Sequence, residues 1–128
     1  MNALHHLIVL PLLWLLPVSA GAQTPVQGKQ IFLTNCAVCH VPPDAATQMT
    51  RIGPSLRGVV GRKAGTLAGF RYTPAMKAYA KVWTPALLDP YLIAPRNVVK
   101  GTAMSFPGLK DPKQRAAVIA YLKANSKR

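Results

Sequence analysis

The chain has 128 residues, enough for one domain but too few to bury more than about 60 to 68% of its unfolded surface without a staple or a cofactor core. Lysine and arginine total 16 against 3 acidic residues, a net charge of +13 that suits acidic partners, nucleic acid or an anionic membrane. The basic residues are spread singly from Lys29 to Arg128, which argues against a nucleic-acid-binding arm and for steering of a protein partner.

Residues 1–22, "MNALHHLIVLPLLWLLPVSAGA", contain no Lys, Arg, Asp or Glu. Leu7 to Val18 is an apolar run too short to span a bilayer comfortably, and Ser19-Ala20-Gly21-Ala22 ends in a small-x-small pattern. The expected reading is a secretory signal cut after Ala22, with an uncleaved anchor or a buried core helix as the alternatives. Cleavage leaves 128 − 22 = 106 residues, 23–128, as one exported domain.

A first helix is predicted from Thr24-Pro25, with Thr as N-cap and Pro at the first helical position. Gly28 within it lowers helix propensity and marks a close helix crossing. The segment "NCAVCHVPP", residues 35–43, follows and contains both cysteines, Cys36 and Cys39, with His40 directly after. A closed zinc site needs four ligands, and residues 23–128 offer only these three Cys and His side chains. A thioredoxin-type pair would want a βαβ context that is absent here. A plain Cys36–Cys39 disulfide would leave His40 unexplained. Covalent haem uses all three. Two thiols add to the porphyrin vinyls, His40 ligates the iron, and this spacing is the attachment signature of c-type haem.

One axial position then remains. His40 is the only histidine after residue 22, so the candidates are Met49, Met76, Met104, a lysine or an open site. Met104 is the choice. It lies in "KGTAMSFPGL", where Gly101 permits a tight turn and Phe106 and Pro107 can shield the sulfur, and a thioether raises the potential for electron transfer.

The middle of the chain, residues 41–70, reads as loop. Helices are predicted from Thr73-Pro74 and Thr84-Pro85, the second kinked or short because Pro90 falls inside it. The last helix is predicted from Asp111-Pro112-Lys113-Gln114 as a capping box, with Val118, Tyr121 and Leu122 forming an apolar stripe and Lys123, Lys127 and Arg128 at its C-terminal end. No strand alternation stands out. The expected fold class is all-α: several short helices and long loops wrapped around one cofactor.

Taken together, "GKQIF", "NCAVCH", "IGPSLRGVVGRKAG", "GFRYTPA", Trp83, "YLIAP", "GTAMSFPGL" and "RAAVIAYLK" resemble the class I cytochromes c, of the mitochondrial and bacterial periplasmic type, from Gly28 to about Ala124. The resemblance implies a cytochrome c domain over 23–128, with one haem c bound through Cys36 and Cys39 and ligated by His40 and Met104. It implies that the Pro54 carbonyl accepts the second ring proton of His40, and that Arg62, Tyr72 and Trp83 hydrogen-bond a haem propionate. Tyr91 would approach the Met104 sulfur, with Thr102 beside it. The segment from His40 to Pro54 is longer than in mitochondrial members, Lys100 replaces a usual proline, and Ala103 stands where a lysine is common. The implied function is a soluble periplasmic electron carrier, not an enzyme. Its partners would be acidic docking surfaces of a quinol:cytochrome c reductase-type donor and an oxidase or reaction-centre-type acceptor. It would touch membrane complexes transiently, bind no nucleic acid and act as a monomer. The alternative is a five-coordinate haem protein with gas-binding or peroxidase activity.

Overall fold

Our computed structural model describes residue 21 and residues 23–127. The expected signal and its cut after Ala22 lie outside the described residues, as does Arg128. Five helices follow one another: α1 (Pro25–Asn35), α2 (Pro74–Tyr79), α3 (Pro85–Ile93), α4 (Pro95–Val98) and α5 (Pro112–Ala124). Among the described residues there is no strand, only an isolated bridge between Lys63 and Val82. No helix among them is long and apolar enough to cross a membrane. The fold is all-α, as the sequence led us to expect.

Local chemistry sets the helix starts. Thr24, Thr73 and Thr84 each accept a backbone N–H three residues on, and each is followed by a proline whose fixed φ suits the first turn. A reciprocal capping box does form, but at α1, where Gln27 returns a bond to the Thr24 backbone. At α5 the expected box is replaced by a simpler cap: Asp111 accepts from the Lys113 N–H at 2.8 Å, one residue earlier than a box requires. α3 runs through Pro90 and ends at Ile93, so it is short, as expected, and the proline does not split it. α4, four residues long and without a side-chain cap, was not expected.

α1 and α5 pack directly on each other, and α5 also meets α3. At the first crossing Gly28 lies against the backbone of Ala117, where a Cβ would come within 1.9 Å of the carbonyl oxygen. Phe32 and Tyr121 meet edge to face there, with centroids 5.5 Å apart. The loop between α1 and α2 is tied to the segment between α2 and α3. Gly61 N–H donates to the Trp83 carbonyl at 2.8 Å, and Trp83 N–H donates to that of Arg62 at 2.9 Å. These two bonds bring Arg62 and Trp83 side by side.

Candidate haem site

The site begins where α1 ends. The Cys36 N–H donates to the Phe32 carbonyl at 2.8 Å, and the Cys36 carbonyl accepts from Cys39 and His40 at 3.1 and 2.9 Å. This turn places both thiols and the imidazole on one wall. The two cysteines are not bonded to each other, which leaves both sulfurs for attachment of a cofactor. Burial, with Cys39 adding to it, pushes the Cys36 thiol up to about 11. A reactive redox pair needs its thiol shifted the other way, so the arrangement disfavours disulfide-exchange chemistry.

His40 is buried, and its Nδ1 lies 2.8 Å from the Pro54 carbonyl oxygen. With the proton on Nδ1 donated to that oxygen, Nε2 is left with a lone pair facing away. Burial lowers the pKa of the ring and the Pro54 bond partly offsets this, so the imidazole favours the neutral form a metal ligand requires. The ring is also held from below. A Cβ on Gly53 would fall 2.3 Å from its Cε1, and the Gly53 N–H donates to the Cys39 carbonyl at 2.9 Å.

The opposite wall is the strap after α4. Gly101 has φ +93°, the left-handed turn expected for it. The Thr102 hydroxyl accepts the Met104 N–H at 3.2 Å and lies 3.2 Å from the Tyr91 hydroxyl. Tyr91 therefore reaches the strap through Thr102. Burial raises its phenol pKa, keeping it neutral.

Between the walls is a cavity of about 500 Å³. All ten residues singled out from the sequence line it: Cys36, Cys39, His40, Pro54, Arg62, Tyr72, Trp83, Tyr91, Thr102 and Met104. Met76 lines it as well, whereas Met49 is 57% exposed and lines a different cavity. Arg62 is pinned by bonds to the Ser55 and Arg57 carbonyls at 2.9 and 3.1 Å. Trp83 is wedged between Tyr79 and Tyr91, with centroids 5.3 and 4.8 Å away. The space, the apolar walls of Val59, Leu88, Leu92 and Phe106, the two thiols, the imidazole, the thioether and a cluster of polar donors suit a covalently bound haem.

Three contributions were not read from the sequence. Gly53 makes room for the His40 ring. Asp44 joins α1 to α5, accepting from Lys29 Nζ and from the Tyr121 hydroxyl, each at 2.6 Å. Arg115, which looks like a surface charge, is buried and donates to Asp89 and to the carbonyls of Leu109 and Lys110. The glycine had a visible signal, since it directly precedes the proline assigned to His40. The other two depend on partners far along the chain.

A helical wrap around one cavity bearing a Cys-x-x-Cys-His wall and a methionine strap defines a c-type haem protein. The family profile of cytochrome c matches residues 25–126, and the chain belongs to that family. It is 46% identical over 99 residues to "Cytochrome c" of Guizotia abyssinica, covering 77% of this chain and 87% of that one. It is 43% identical over 104 residues to "Cytochrome c2" of Rhodopila globiformis, covering 81% and 95%. A further cytochrome c2, from Rhodomicrobium vannielii, is 48% identical over 103 residues, covering 80% and 79%. The cofactor is haem c, attached at Cys36 and Cys39, and the protein is an electron carrier rather than an enzyme.

Proposed function

We propose that the protein is a soluble periplasmic carrier whose haem is ligated by His40 and Met104 and passes single electrons between redox proteins. One observation carries the ligand assignment: the Met104 thioether lines the same cavity as the buried, Pro54-tethered imidazole, on a strap fixed by Thr102 and Tyr91, whereas Met76, which also lines it, lies within α2. The haem supplies a one-electron Fe(II)/Fe(III) couple. The chain's own residues do the rest. Pro54 and Gly53 fix the orientation of His40, and Thr102 holds the backbone of Met104 in place with Tyr91 behind it. Arg62, Tyr72 and Trp83 would serve as donors to a propionate that would otherwise be buried unpaired. With His40 and Met104 both holding the iron, no open position would be left on it for a substrate.

Export with cleavage after Ala22 is supported by the apolar leader and by relatives named cytochrome c2. The partners are acidic docking surfaces on a quinol:cytochrome c reductase-type donor and an oxidase or reaction-centre-type acceptor, met transiently by a monomer.

Spectroscopy tests the ligand set. The oxidised protein is expected to show the red absorbance band of methionine–ferric ligation, and Met104→Ala is expected to abolish it while Met76→Ala and Met49→Ala leave it intact. Rapid carbon monoxide binding by the unaltered reduced protein would instead support the five-coordinate reading. Cell fractionation with N-terminal sequencing tests the compartment: a periplasmic protein starting at Gln23 is expected.

A further inference from the structure

Pro54 orients the histidine, yet a proline has little of its own to be held by. It has no backbone N–H, and its carbonyl already accepts from His40 Nδ1 at 2.8 Å. That carbonyl shares one planar peptide unit with the nitrogen and Cα of Ser55, so whatever fixes Ser55 also aims the oxygen. Ser55 is buried. Its hydroxyl donates to Gln48 Oε1 at 2.5 Å, and its carbonyl accepts from Arg62 Nη2 at 2.9 Å. Gln48 is held in turn. Its Nε2 donates to the carbonyls of Pro42 and Ala45 at 2.9 and 3.2 Å, so both amide N–H groups and the amide oxygen are engaged. On the other flank, the Gly53 N–H donates to the Cys39 carbonyl at 2.9 Å. A run of hydrogen bonds thus leads from the residues just after His40, through Gln48 and Ser55, back to the oxygen that meets its ring.

We propose that Gln48 and Ser55 are positioning residues for the haem iron. By holding the Pro54 carbonyl on the His40 Nδ1–H, they set how strongly the imidazole donates to the metal, and so help set the reduction potential. This role rests on His40 being an axial ligand. A well-aligned Nδ1–H···O bond puts negative character on the ring and favours the more positive ferric ion. Loosening the carbonyl weakens that preference, and the potential rises. Neither Gln48 nor Ser55 lines the haem cavity, so each acts through a neighbour. Pro54 is one route and Arg62, bonded to the Ser55 carbonyl, is another.

The test uses the intact haem protein, Gln48→Met, which keeps the length of the side chain without the amide, Ser55→Ala, and the double variant. In the ferric protein the unpaired electron displaces the proton NMR signals of a ligating histidine, and the Nδ1 proton among them exchanges with solvent. Its exchange into deuterated water is expected to be about tenfold faster in either single variant. The ferric preference is expected to fall about threefold, which at 59 mV per tenfold is a rise of about 28 mV in midpoint potential. The double variant is expected to shift no further than the larger single one, because both residues act through one bond. Ser55→Thr restores the hydroxyl and is expected to return both readings toward those of the unaltered protein. Thr84→Ala removes the α3 cap and serves as the control, lowering the unfolding midpoint with exchange and potential unchanged. If the glutamine and serine variants behave like this control, the two residues only support the fold and the proposal fails. A raised potential without faster exchange would place the route at Arg62 and overturn the role given to Pro54. Additive shifts would overturn the single run of bonds. A ferric protein without displaced, exchangeable histidine signals would indict the reading of His40 as ligand instead, so the two failures are distinguishable.

Discussion

Gly53 is a glycine because His40 occupies the space its side chain would need. A Cβ there would meet ring Cε1 at 2.3 Å and Nδ1 at 2.6 Å, and the ring cannot retreat without breaking the 2.8 Å bond to Pro54. Gly53→Ala is therefore expected to cost about 1–3 kcal/mol in denaturant unfolding and to shift the midpoint potential. A variant with wild-type stability and potential would show that the ring has slack. Asp44 makes a second residue-scale case. The bonds from Lys29 and then Tyr121 hold its carboxyl below the ordinary 3.8. Its folded value lies below the unfolded one, so its stabilisation is present above about pH 4 and disappears as pH falls through the folded value. With only 3 acidic residues in the chain, Asp44→Asn is expected to flatten the acid limb of the stability curve visibly, as read by denaturant midpoints from pH 6 down to pH 2. An unchanged acid limb would remove Asp44 from that role. Cys36, Cys39, His40 and Met104 were legible from their own chemistry, whereas Pro54, Arg62, Tyr72, Trp83, Tyr91 and Thr102 were legible only through the resemblance to the class I cytochromes c, because a tyrosine or tryptophan taken alone reads as a core aromatic. Asp44 was not, since its partner Tyr121 is 77 residues away and nothing local announces the pairing.

At the scale of elements, the crossing of α1 and α5 anchors the cysteines. Cys36 caps α1, so any change in how that helix sits on α5 moves the thiol wall. Gly28→Ala would push a Cβ to 1.9 Å from the Ala117 carbonyl oxygen and 2.7 Å from the Tyr121 Cβ. Both contacts are close to backbone and cannot swing aside. Although alanine is the better helix former, we expect overpacking to outweigh the propensity gain, with a net loss of about 1–2 kcal/mol in chemical unfolding. Stabilisation by the substitution would mean that the helices separate easily. The starts of α1, α2, α3 and α5 were readable because a cap and a following proline are local signals. The details that failed depend on more than local spacing. Asp111 and Gln114 have capping-box spacing, yet Asp111 turns to the Lys113 N–H. α4 has no side-chain cap to read. Arg115 reads as surface charge until Asp89 of α3 and the carbonyls before α5 are placed around it.

Over the whole molecule the charge imbalance is not resolved internally. The chain has 16 lysines and arginines against 3 acidic residues, and two of those acids, Asp44 and Asp89, are paired with Lys29 and Arg115. The cations outnumber the acids by 13, so the molecule projects a positive field beyond its surface. Such a field raises encounter rates with acidic proteins by about 10–1000-fold and is screened over a Debye length of about 8 Å at physiological salt. Because the cations are scattered, this steering is a property of the sum, and neutralising any one exposed lysine is expected to slow association only a few-fold. Raising ionic strength acts on all of them together. The second-order rate of electron transfer to an acidic redox partner is therefore expected to fall at least tenfold from 10 mM to 300 mM salt, measured by stopped-flow, while reduction by a small uncharged reductant changes little. The uncharged reductant separates steering from any effect of salt on the haem itself. Rates that stay flat with the acidic partner would mean that the positive field serves solubility alone.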